Sequence, residues 1–395
     1  MNIELLRSET PGCRTKLHFN NAGCSLHPLP VVNAVRTYLE EESLTGGYEY
    51  AAIKAHELDE FYHSAARLFH CKPENIAFTT SSTDSYIKAL SSIPFKAGDI
   101  ILTSINDYVS NQIQFLSLQK RFGVQIIRAK NTESGEVDVN SVAELIKKHH
   151  PVLVAITHVP NNTGMIQPVE EIGDLCFEHD VIYIVDACQS SGQLNVDTTK
   201  IKCDFLTAAT RKFMRVPRGG GILFVSDKML MNAKEPMFID MRGADWMEDN
   251  IYKPVADAKR FELTEMSYAI QMGAIAAINY ILNLGIDSIA ERNALLCSYA
   301  RTKLSAIPTV RLLDLGKNLS AIISLTTENY NVFDLKSELI RRNINVGAAA
   351  KKFALMDFNQ KHVDAALRIS PHYYNTLEEI DLLVESISEI VKGEV

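Results

Sequence analysis

Residues 181–225 read VIYIVDACQSSGQLNVDTTKIKCDFLTAATRKFMRVPRGGGILFV, and their reading decides the fold. The runs 181–187 and 219–225 are apolar and rich in β-branched residues, without clean alternation. That is the pattern of strands buried on both faces, in a mostly parallel sheet covered by helices. In such sheets reactive groups gather at the carboxyl ends of strands. Asp186 ends the first run. An ionised acid is costly to bury alone, so it requires a cationic partner. Lys212, 26 positions on and at the end of another strand candidate, is the partner expected; Pro217-Arg218-Gly219-Gly220-Gly221 follows it.

Outward from this stretch, strand-like runs at 76–80, 100–104, 124–129 and 152–159 alternate with helical patterns ending near 93, at 111–121 and at 169–179. The pattern changes after about residue 260. A long apolar segment, 266–284, reads as a buried helix. Strands follow near 319–326 and 365–370, and a final helix starts at Thr376, which with Glu379 has capping-box spacing. The expectation is an α/β protein: a large domain (18–265) with a mostly parallel sheet of the seven-stranded type flanked by helices, and a smaller α+β domain (1–17 and 266–395).

Composition limits the function. The 395 residues carry a net charge of −8, with 46% apolar and 22% charged residues. A broad electrostatic grip on nucleic acid or an anionic membrane is not expected. No apolar run approaches the roughly 18 residues of a membrane span, and the first residues have no secretion pattern. The seven cysteines are scattered and odd in number, which suits a reduced, cytoplasmic chain without a metal site. His56, His63 and His70 recur at seven-residue spacing and read as one face of a helix.

A buried acid and a lysine at neighbouring strand ends suit pyridoxal phosphate: the lysine forms a Schiff base with the aldehyde and the acid keeps the ring nitrogen protonated. A structural ion pair is the alternative from spacing alone. Ser81-Ser82-Thr83, at a strand-to-helix junction, offers a phosphate site or a plain helix cap. Asn161, in Thr157-His158-Val159-Pro160-Asn161, can bond a phenolic oxygen or serve a turn. Tyr108 can stack on a flat ring or pack. Arg368 sits among apolar residues and suits a carboxylate, whether of a substrate or of a salt bridge.

Together these segments resemble the class V aminotransferase and cysteine desulfurase family of fold-type I pyridoxal phosphate enzymes. The resemblance runs from Phe19-Asn20-Asn21-Ala22-Gly23 through Thr157–Asn161, Val185-Asp186-Ala187-Cys188-Gln189, Arg211-Lys212-Phe213 and Pro217-Arg218-Gly219 to Arg368-Ile369-Ser370 and Tyr374-Asn375-Thr376. It implies that Lys212 carries the cofactor and Asp186 pairs with its ring nitrogen. Gln189 and Asn161 would bond the ring oxygen, and Tyr108 would stack on the ring. Ser82, Thr83 and Arg211 would hold the phosphate, and His158 would lie near the ring as a catalytic residue. Arg368, with Asn21 and Ala22, would bind the substrate. It also implies a homodimer with active sites at the interface, Thr264 reaching the partner's phosphate.

The expected reaction begins with an α-carbanion of an L-amino acid, and a class V aminotransferase is the leading expectation. A C–S β-lyase acting on a cysteine conjugate or sulfoxide, or an epimerase, is the alternative; a non-catalytic amino-acid sensor is the remote one. Cysteine desulfurases carry a mobile-loop cysteine ahead of the substrate arginine, and residues 347–367 contain none. Cys24 is expected to pack rather than react.

Overall fold

The apolar runs assemble into one seven-stranded sheet in the computed structural model, which describes residues 1–393. Its strands are β1 (Ile76–Thr79), β2 (Ile100–Thr103), β3 (Gln125–Arg128), β4 (Leu153–Thr157), β5 (Ile182–Asp186), β6 (Phe205–Ala209) and β7 (Gly221–Val225). They lie in the order β1-β7-β6-β5-β4-β2-β3. Strand β7 runs antiparallel to β1 and β6, and the remaining pairs are parallel. All residues of β1, β4, β6 and β7 are buried, which explains their unbroken apolar character.

Helices cover both faces. Among the helices of the chain, in order, are α1 (Leu29–Thr45), α2 (Ala55–Phe69), α3 (Ser82–Ser91), α4 (Val109–Phe122), α5 (Val139–His149), α6 (Val169–Glu178), α7 (Tyr268–Leu284), α8 (Ile286–Ser305) and α9 (Leu377–Lys392), of which α8 and α9 pack on the second sheet. Strand alternation divides the core. Leu153 and Ala155 of β4 join Tyr86 of α3 and Phe115 of α4 on one face. Val154 and Ile156 join Val142 of α5 and Ile172 of α6 on the other.

A second, antiparallel sheet contains β8 (Val310–Leu312), β9 (Ile323–Thr327), β10 (Gly347–Ala350) and β11 (Ala365–Ile369), in the order β8-β9-β11-β10. Its core combines Leu296 and Leu304 of α8 with Ile380, Leu383 and Ile387 of α9. The capping box forms: Thr376 accepts the Glu379 N–H, and the Glu379 side chain accepts the Thr376 N–H.

The boundary expected at 265 falls later. Ala274, Ala277, Ile278 and Ile281 of α7 share a core with Val31 of α1 and Phe61 of α2, so α7 belongs to the large unit. Leu6 joins the same core, while Leu17–His18 pairs in parallel with Ile344–Asn345 of the small unit. A helix as apolar as α7 has no polar face to mark the layer it serves. Among the described residues, no single helix is long and apolar enough to cross a membrane.

Candidate active site

The carboxyl ends of β4, β5 and β6 open into one cleft, with about 670 Å³ of atom-free space including its mouth. Ser82, Thr83, Tyr108, Asn161, Asp186, Gln189, Arg211 and Lys212 all line it. Residues separated by 130 positions of sequence therefore meet because parallel strands present their ends on one edge.

Asp186 closes β5 and is buried. Its Oδ1 accepts the Cys188 N–H at 2.9 Å and its Oδ2 accepts from Asn111 Nδ2 at 3.2 Å. Among the described residues no cation lies within 4 Å of it. This corrects the expected ion pair with Lys212: an amide and a main-chain N–H meet the acid. Lys212 lies in the turn after β6, buried, and burial holds its amine below the usual lysine range. That depression favours the neutral, nucleophilic form.

At one end of the cleft helix α3 begins. Ser81 is its N-cap and accepts the Asp84 N–H, which leaves the first N–H groups of the helix turned to the cleft. Arg211 and Arg218 also line the cleft, and Arg211 Nη1 donates to the Gly23 carbonyl. The close approach of β7 sets this end: a Cβ on Gly221 would lie 2.3 Å from the Ser81 carbonyl carbon and 2.6 Å from the Ser82 nitrogen. Across the cleft, Gln189 Oε1 and Asn161 Oδ1 are buried without protein partners. Orphaned polar atoms of this kind need a ligand. An anion cradle, an acid, an amine and two unpaired amide oxygens fit a phosphorylated pyridine aldehyde.

Arg368 stands at the end of β11, where the small unit faces the cleft. Its Nη1 donates to the Asn161 carbonyl at 2.9 Å, its Nη2 to Asn20 Oδ1 at 3.4 Å, and its Nε has no partner. Burial and the nearby Arg211 push its pKa down to about 10. A guanidinium without an acid is poised for an incoming carboxylate.

Three expected site residues lie elsewhere. His158 follows Thr157 on the opposite face of the chain, and it lines a separate cleft with Glu136 and Gln167. Burial pushes its imidazole down to about 4. Alternation explains the misplacement: Thr157 and Val159 line the first cleft and His158 does not. Asn21 is committed to structure, its Nδ2 donating to the Ser370 carbonyl at 2.7 Å and its Oδ1 accepting from Tyr374 Oη at 2.6 Å. The Ala22 N–H donates to Ser370 Oγ and its carbonyl accepts from Gln189 Nε2. Thr264, expected at the phosphate of a partner subunit, is exposed on this chain and donates to Asp240.

The sequence reading passed over Asn111, Cys188 and Arg218 as site residues. Asn111 stands one helical turn after Asp107, and that four-residue spacing was its only local signal.

A family model described as aminotransferase class-V matches residues 17–383. The chain is 28% identical over 397 residues to a probable cysteine desulfurase of Pyrococcus abyssi, covering 99% of this chain and 98% of that one. It is 26% identical over 374 residues to a probable hercynylcysteine sulfoxide lyase of Mycobacterium tuberculosis, covering 94% and 89%. The apo structure of a cysteine desulfurase from Thermococcus onnurineus superposes with a TM-score of 0.91 at 26% identity, covering 99% and 98%.

Proposed function

The chain belongs to the aminotransferase class-V family, and from that premise we propose that it is a pyridoxal-phosphate-dependent C–S β-lyase acting on L-cysteine or a derivative with sulfur on its β-carbon. The cofactor, when bound, draws into its ring the electron pair left on the α-carbon of an amino acid. The chain supplies the rest. Arg368 binds the α-carboxylate and so orients the bonds at the α-carbon. Lys212 holds the cofactor and, once released, takes the α-proton on Nζ. Asp186 keeps a proton at the ring nitrogen. The N-terminus of α3, with Arg211, binds phosphate, while Asn161 and Gln189 meet the ring oxygen and Tyr108 lies along the ring. When the β-carbon–sulfur bond breaks, sulfur leaves with the bonding pair and takes a proton, and one water hydrolyses the remaining 2-aminoacrylate to pyruvate and ammonia.

One observation carries the lyase over a transaminase or a persulfide carrier. The relatives with named activities act on sulfur, yet among the described residues the one cysteine that lines this cleft is Cys188. Residues 347–367 hold no cysteine. Cys188 lines the cleft, but burial pushes its thiol up to about 12, so it stays protonated. Sulfur therefore leaves on the small molecule.

The active form is a homodimer. Tyr48, Phe238, Met241 and Trp246 are 90%, 85%, 78% and 80% exposed, and Thr264 adjoins them through Asp240. Apolar exposure on this scale suits a second copy. Seven free thiols suit a reducing, cytoplasmic compartment.

Purified enzyme should convert cysteine, S-substituted cysteines or their sulfoxides to equimolar pyruvate and ammonia. Product that forms only in the presence of a keto-acid acceptor would replace this reading with transamination.

A further inference from the structure

Behind Asp186 lies a second buried acid that the proposed chemistry does not use. Asp107 Oδ1 accepts from Thr157 Oγ1 at 2.5 Å, from the Tyr108 N–H at 2.7 Å and from Asn111 Nδ2 at 2.9 Å. Its Oδ2 accepts from Gln112 Nε2 at 2.8 Å, and Gln112 Oε1 in turn accepts from Arg128 Nη2 at 2.8 Å. Burial pushes the Asp107 carboxyl up, and these donors oppose the push. The same Asn111 nitrogen reaches Asp186 Oδ2. One amide thus bridges two carboxylates, and it bridges them with its N–H₂ end.

The bridge has a direction. An amide presents donors at one end and an acceptor at the other. Flanked by two carboxylates, Asn111 can only turn its nitrogen toward them. The anchored acid at 107 therefore fixes the amide and, through it, the rotamer of Asp186. With Oδ1 taken by the Cys188 N–H and Oδ2 by Asn111, the lone pairs of Asp186 left over face the cleft.

We propose that Asp107, acting through Asn111, is a positioning residue that orients Asp186 and strengthens its hold on a protonated ring nitrogen. The proposal rests on Asp186 facing that nitrogen. Asp107 touches neither substrate nor cofactor; it works on the acid that does. Thr157 and Gln112 serve the same end by holding the Asp107 carboxyl in place.

The test is a competition on the full-length holoenzyme. Pyridoxal phosphate is challenged at equilibrium by its analogue with carbon in place of the ring nitrogen, and both are quantified by chromatography after release. Wild-type protein should prefer the natural cofactor. Asp107→Asn, which frees Asn111 to flip, and Asn111→Ala, which cuts the link, should each lower that preference about tenfold. A purely structural role would weaken both compounds alike and leave the ratio unmoved. A fall smaller than about threefold in both variants overturns the proposal. If Asp107→Asn does not fold, the Asn111→Ala ratio decides by the same threshold. A wild-type protein that shows no preference overturns the role of Asp186 itself, and the proposal with it.

Discussion

Arg368 Nη1 donates to the main-chain carbonyl of Asn161 at 2.9 Å, which ties the small sheet to the loop after β4 at the lip of the cleft. The bond aims the guanidinium without neutralising it. A charge-assisted bond to a substrate carboxylate is worth about 1.5–3 kcal/mol. Arg368→Ala should therefore raise KM for the amino acid roughly 10- to 100-fold, while the affinity for pyridoxal phosphate stays nearly constant. Steady-state kinetics beside cofactor titration checks this; equal losses in both would make the arginine structural.

Gly221 and Ser82 are pressed together where β7 meets the start of α3. An added methyl would meet main-chain atoms, which cannot swing aside. Overpacking of this kind costs about 1–3 kcal/mol. Gly221→Ala should lower Tm by several degrees and weaken pyridoxal phosphate binding more than pyridoxal binding, since the displaced N–H groups face the phosphate end. Paired titrations with the two compounds read the difference.

His158 predicts an acid limb in stability rather than in catalysis. Its folded-state pKa of about 4 lies below the ordinary 6.5. The unfolded chain therefore binds the proton first, and the stability linked to this histidine is whole above about pH 6.5 and lost as pH falls toward 4. The full effect is on the order of 3 kcal/mol. His158→Gln should flatten the fall of Tm over that window and leave turnover at pH 7 within about twofold, a surface-like effect on activity. A collapse of kcat would return His158 to the reacting centre.

Much of the site was legible because its residues sit at strand ends. Asp186 ends β5, Gln189 and Lys212 each stand three residues past β5 and β6, and the fully buried strands announce themselves by composition. What stayed hidden depends on partners. Asn21 is polar and next to the cleft in sequence, but its amide is spent on Ser370 and Tyr374. His158 differs from its neighbours by one step of strand alternation. Asn111 gains its meaning only when α4 packs its first turn against β5, bringing two acids within reach of one nitrogen. Likewise, α7 has one composition whichever domain it joins.

The most direct measurement is the visible absorbance of the purified protein with pyridoxal phosphate, wild type against Lys212→Ala. The wild type should show the band of a lysine-bound cofactor, trapped on Lys212 by borohydride and found there by peptide mass. The variant should lack both. A colourless wild type, or a reduced adduct on any other lysine, would contradict the account.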